Sequence, residues 1–117
     1  MQRILLVCNQ EDLIKLIELY TEKLKKEIEV ITIVRDIKTA NDILAHNSFN
    51  KITKLILDIH LPDQDSTAFA EEVEHYFPQL KIIGLTTSPK FREEHSKAFK
   101  EVYLSPYTKD IYLKILS

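Results

Sequence analysis

The sequence predicts an α/β fold: a doubly wound parallel sheet of five strands with helices on both faces. Three observations predict it. Short apolar runs alternate with segments of helical spacing along the whole chain. The runs are continuous rather than alternating, which suits strands buried on both faces. The third run ends in a carboxylate, Asp58, and open α/β sheets place their sites at the carboxyl ends of strands.

The elements follow in order. Ile4 to Val7 is the first strand. Asn9 is the expected N-cap of the first helix, with Glu11 and Asp12 in its first turn, where acids complement the helix dipole. Leu13, Ile17, Tyr20 and Leu24 recur at helical spacing behind them. Val30 to Val34 is a strand rich in β-branched residues. Ala40 to His46 is a short helix ended by Asn47-Ser48-Phe49-Asn50, and Leu55 to Asp58 is the third strand. Asp65 or Ser66 caps a helix carrying Phe69, Val73 and Tyr76, stopped by Pro78. Ile82 to Thr86 is the fourth strand, the stretch from Phe91 to Phe99 a polar helix, and Glu101 to Leu104 the fifth strand. Right-handed crossovers leave few topologies for this alternation. It is similar to the flavodoxin-like order, 2-1-3-4-5, which sets residues 8–9 beside Asp58 in the crevice.

The last helix is short, from about Lys109 to Ser117. Two readings stand: a single domain over residues 1–117, truncated at this end, or the N-terminal part of a longer regulator with an output domain after residue 117.

Composition excludes several function classes. Sixteen basic residues face 18 acidic ones, so no large field of one sign marks a nucleic-acid or membrane surface. Lys23, Lys25 and Lys26 cluster, but Glu22 and Glu27 flank them, as on a solvated helix end. Gly84 is the sole glycine, which excludes the phosphate loop and the dinucleotide fingerprint. Cys8 is the sole cysteine, so no internal disulfide forms, and a lone thiol suits a reducing compartment. No apolar stretch approaches the roughly 18 residues of a membrane span. A cytoplasmic location is expected. His46, His60, His75 and His95 lack a metal-ligand spacing, and Glu71 with His75 reads as a surface pair on a helix. No nucleophile stands beside an oriented base, so no enzyme activity is expected.

The segment Leu55-Ile56-Leu57-Asp58-Ile59-His60-Leu61-Pro62-Asp63-Gln64-Asp65 resembles the phosphoacceptor strand and loop of response-regulator receiver domains. Ile82-Ile83-Gly84-Leu85-Thr86-Thr87 resembles their fourth strand, and Tyr103-Leu104-Ser105-Pro106-Tyr107 their fifth strand and following loop. The resemblance implies Asp58 as phosphoacceptor, Thr86 as switch hydroxyl, Tyr103 as switch aromatic and a cis Ser105-Pro106 bond. Registering on Pro106 instead puts Val102 at the aromatic position.

The chain departs from the family where the chemistry needs charge. Phosphoryl transfer depends on positioning and charge neutralisation, which the family draws from Mg²⁺ and a lysine. Cys8 and Asn9 stand where the family carries two acids, and a thiol is a poor magnesium ligand. Ser105 stands where the family carries lysine, and Lys109 lies downstream, at the start of the last helix. Ser66 occupies a loop position usually held by glycine. Glu11 or Asp12 could reach back to replace a ligand. The resemblance therefore implies a degenerate receiver: a phosphorylation-independent interaction or dimerisation module with no cofactor. Its partner surface would be the face of helix 4, strand 5 and helix 5, where Phe91, Phe99, Tyr103, Tyr107 and Tyr112 lie. The alternative is a working receiver, phosphorylated on Asp58 by a histidine kinase. Mg²⁺ would then be held by Asp58, the His60 carbonyl and a nearby acid. Nucleic acid would be met only through an output domain.

Overall fold

A computed structural model describes residues 2–46 and 51–117. Five strands form one parallel sheet: β1 (Gln2–Val7), β2 (Ile28–Val34), β3 (Lys54–Asp58), β4 (Lys81–Thr86) and β5 (Glu101–Leu104). Their spatial order is β2-β1-β3-β4-β5, the predicted one. Among the described residues five helices connect or follow them: α1 (Glu11–Lys23), α2 (Ile37–Leu44), α3 (Ser66–Tyr76), α4 (Pro89–Glu94) and α5 (Lys109–Leu116). The expected stop at residues 47–50 lies outside the described residues.

The pleat divides the core in two. Leu5, Val7, Leu55, Leu57 and Ile82 face α2 and α3. Ile4, Leu6, Ile56, Ile83 and Leu85 face α1 and α5. Every residue of β3 is buried, as its central place requires. Each buried aliphatic side chain contributes about 1.5–3 kcal/mol, so the two clusters dominate the stability.

Several boundaries differ from expectation, each for a local reason. Gln10, not Asn9, is the N-cap of α1, and its side chain makes no cap bond because it turns toward Asp58. Asp36 caps α2 by accepting from the Thr39 N–H at 2.7 Å, which starts that helix before Ala40. Of the two candidates, Asp65 caps α3, accepting from the Ala68 N–H at 2.9 Å. Tyr76 is exposed despite its spacing; the helix ends there, and Phe77 turns inward instead. The fourth helix is shorter than expected. Ser88 caps it with Pro89 in the first turn, and His95 is already extended. A Ser96-centred turn then delivers Phe99 into the core.

Phe99 packs where Gly84 has no side chain. A Cβ there would lie 3.0 Å from Phe99 Cδ1 and 3.3 Å from Val102 Cγ2. Gly84→Ala should cost about 1–3 kcal/mol by overpacking, read as a lower urea midpoint without a change in slope.

β3 begins with a fully buried lysine. Lys54 Nζ donates to the Ile115 carbonyl of α5 at 3.1 Å. Burial lowers its pKa to about 8, with Lys81 adding to the effect and Glu101 opposing it. Below pH 8 both folded and unfolded chains hold the proton. From about 8 to 10.5 the unfolded chain holds more of it, so this group adds stability as pH rises. Cys8 acts oppositely between 9 and about 11, so a difference measurement is needed. The stability of wild type relative to Lys54→Met should rise by about 2 kcal/mol between roughly pH 7.5 and 9.5 in urea titrations.

Candidate functional site

Asp58 ends β3 at the crevice between β1 and β4 and is only 2% exposed. Both carboxylate oxygens are engaged. Oδ1 accepts from the His60 backbone N–H at 3.0 Å, and Oδ2 accepts from Gln10 Nε2 at 3.0 Å. A carboxylate only accepts, so the amide must present its nitrogen. The Cys8 thiol also points at Oδ2, at 3.8 Å. Ser66, buried, donates its hydroxyl to the Asp58 carbonyl at 3.0 Å, which ties the start of α3 to the strand end.

The expected neighbours are thus brought together only in part. Cys8 meets Asp58, but Asn9 is exposed and Gln10 takes its place. Glu11 does not reach back; its carboxylate pairs with Arg35 at 2.7 Å. Among the described residues no group of three His, Cys, Asp or Glu side chains could hold a metal. Magnesium needs hard oxygen ligands, and Oδ2 here faces an amide N–H and a thiol, both hydrogen donors. This donor set does not fit the ion. Burial pushes the Cys8 thiol up to about 11; the Gln10 backbone N–H, which donates to Sγ, opposes this, and Asp58 adds to it.

Thr86 is buried at the end of β4, but its hydroxyl turns to His60 Nε2 at 2.9 Å and accepts from the Ser88 N–H at 3.0 Å. Tyr103 lies on the other side of the sheet. It packs with Ile83 and Leu85, whereas Val102 packs beside Phe99, so Thr86 and Tyr103 do not meet. The Tyr103 hydroxyl donates to Glu101. Burial and that bond raise the phenol to about 12, while the same bond lowers the Glu101 carboxyl. Ser105-Pro106 is cis, and the Ser105 N–H donates to the Thr86 carbonyl at 2.9 Å. Lys109 opens α5 on the surface.

Sequence reasoning missed Gln10, the ring of His60 and Tyr107 as parts of this site. Half-buried Tyr107 has its phenol pKa raised by burial first and then by the charge of Asp58. The only available signal was nearness in sequence to Cys8, Asp58 and Pro106. Of the five aromatics expected at a partner surface, Phe99 and Tyr112 are core residues, and Phe91, Tyr103 and Tyr107 are half-buried. Large exposed apolar side chains instead include Leu16 and Leu19 of α1, with Tyr76 of α3.

The sheet order, the aspartate at the end of β3 and the cis bond after β5 form one pattern, and solved structures share its fold. The isolated REC domain of RcsB from Salmonella enterica serovar Typhimurium matches with a TM-score of 0.83 at 17% identity, over 98% of this chain and 85% of that one. The signal receiver domain of a DNA-binding response regulator from Colwellia psychrerythraea 34H matches at 0.80 and 12%, over 99% and 95%. The fold is that of receiver domains. The receiver-fold protein TrrA from Thermotoga maritima, solved with Mg(2+)-BeF, matches at 0.75 and 24% identity, over 99% and 97%. No protein-family model matches the chain. In sequence it is similar to the transcriptional regulatory protein CitT of Bacillus subtilis, 30% identical over 98 residues. That stretch is 81% of this chain and 43% of CitT, so the chain spans less than half of that relative. Among the described residues no helix is long and apolar enough to cross a membrane.

The Cys8 environment is directly testable. Its thiolate fraction near pH 8 should be about a hundredfold below that of an ordinary thiol, since its pKa lies near 11 instead of 9. Alkylation by iodoacetamide should therefore be slow in the folded protein and fast in urea.

Proposed function

We propose that this chain is a receiver domain of bacterial signalling that works as a protein-interaction module without phosphorylation of Asp58. One observation carries the reading: the Asp58 carboxylate is buried, with both oxygens already bonded inside the protein. A phosphoryl group entering there must displace Gln10 and be neutralised by a cation. The donor set around Oδ2 does not suit that cation, and Ser105 offers no charge in its place. The module needs no cofactor and catalyses no reaction.

Its partner is a protein or a second copy, met through the α4–β5–α5 face, where half-buried Phe91, Tyr103 and Tyr107 supply apolar area beneath a polar rim. Transcription regulation is the setting that the CitT resemblance supports, with nucleic acid met only through an output domain. The competing reading, phosphorylation of Asp58 by a histidine kinase with Mg²⁺ bound, is favoured by the position of Asp58 at the end of β3 and of Thr86 at the end of β4.

Incubation with Mg²⁺ and acetyl phosphate, followed by intact-mass analysis, separates the two. The expected result is no adduct, and a sedimentation profile and partner capture that Asp58→Asn leaves unchanged. An adduct on wild type that Asp58→Asn abolishes would overturn the proposal.

A further inference from the structure

The ring of His60 performs a task that its place after Asp58 does not announce. Its Nε2 lies 2.9 Å from Thr86 Oγ1, and the Thr87 N–H donates to the same nitrogen at 3.3 Å. A backbone N–H can only donate, so Nε2 must accept, and the ring proton must sit on Nδ1. The Thr86 hydroxyl accepts from the Ser88 N–H at 3.0 Å, and with Nε2 unprotonated its own hydrogen shares the one Nε2 lone pair with the Thr87 N–H. These bonds form one directed run. Asp58 Oδ1 holds the His60 backbone, the His60 ring holds Thr86 and Thr87, Thr86 holds Ser88, and Ser88 Oγ accepts from the Phe91 N–H at 3.2 Å to cap α4.

We propose that His60, as its Nδ1–H tautomer, is a positioning residue that latches Thr86 and Thr87 and so sets the start of α4 whatever the state of Asp58. The hydroxyl that an anion at Asp58 would recruit is committed to the imidazole. The loop after β3 and the loop after β4 are thereby joined by a side chain, which places α4 on the partner face in one arrangement. This deepens the phosphorylation-independent reading and rests on it for its meaning, because the latch replaces a phosphoryl group as the element that orders the loop.

The test reads the ring itself. Long-range ¹H–¹⁵N correlation of the imidazoles of the whole chain near pH 8, where an ordinary imidazole is neutral, reports which nitrogen carries the proton. The expected result is a protonated Nδ1 and an accepting Nε2 on His60; a protonated Nε2, or an even mixture of tautomers, overturns the proposal. This measurement needs no variant. In His60→Phe, which keeps an aromatic ring but removes its nitrogens, amide exchange at Thr87 and Ser88 should quicken about fivefold, the loss of one ordinary hydrogen bond. Exchange at Leu57 should stay as it was. Unchanged protection at both amides overturns the latch. The acetyl phosphate experiment is independent: an adduct with the Nδ1–H tautomer intact removes the functional reading but not the latch, and a protonated Nε2 without an adduct does the reverse.

Discussion

A carboxylate shut away from water must find its hydrogen bonds inside the protein. The parallel sheet imposes that condition on Asp58. Burying β3 on both faces carries its last residue into the interior edge of the crevice, at 2% exposure. The surrounding polar groups fall into place around this need. Gln10 gives up a capping role to donate to Oδ2, the turn after β3 lends the His60 N–H to Oδ1, and Ser66 meets the carbonyl behind. The charge remains, and neutral donors satisfy it.

If Asp58 works without phosphorylation, as proposed, such a site differs in kind from one that waits for a ligand. A metal site leaves oxygens facing open space, so that binding supplies the missing partners. Here the partners are covalently part of the chain. A competing ion would have to displace an amide and a thiol before gaining a single oxygen. The sheet also separates two residues that the resemblance joins. Thr86 and Tyr103 sit on neighbouring strands but face opposite layers, since side chains alternate along the pleat. Thr86 is therefore wired along the top of the sheet toward Ser88 and α4.

The sequence was informative where one dominant force decided the outcome. Apolar runs marked the inner strands, because burial on both faces leaves a continuous pattern, and the likeness of the alternation to the flavodoxin-like order supplied their sequence across the sheet. It was less informative where short polar contacts compete. Asn9 is the expected cap by residue type, yet the helix starts one residue later, and only the geometry of the crevice sends Gln10 to Asp58. The spacing from Phe91 to Phe99 looks helical, yet the space above Gly84 draws Phe99 in from a turn. Lys54 lies just outside the apolar run that starts at Leu55; nothing in its neighbours announces a fully buried ammonium. His60 was one of four scattered histidines until the fold set it beside Thr86.

Lys54 has a consequence for how the molecule comes apart. Its ammonium lies under α5 and spends a proton on the Ile115 carbonyl. If α5 peeled off by itself, the central strand would be left with a charge that has lost that carbonyl. The terminal helix is therefore fastened at the middle of the sheet, not merely laid on its edge. Loosening of α5 would therefore be felt in β3, through the Lys54 contact and the apolar cluster that the helix shares with α1.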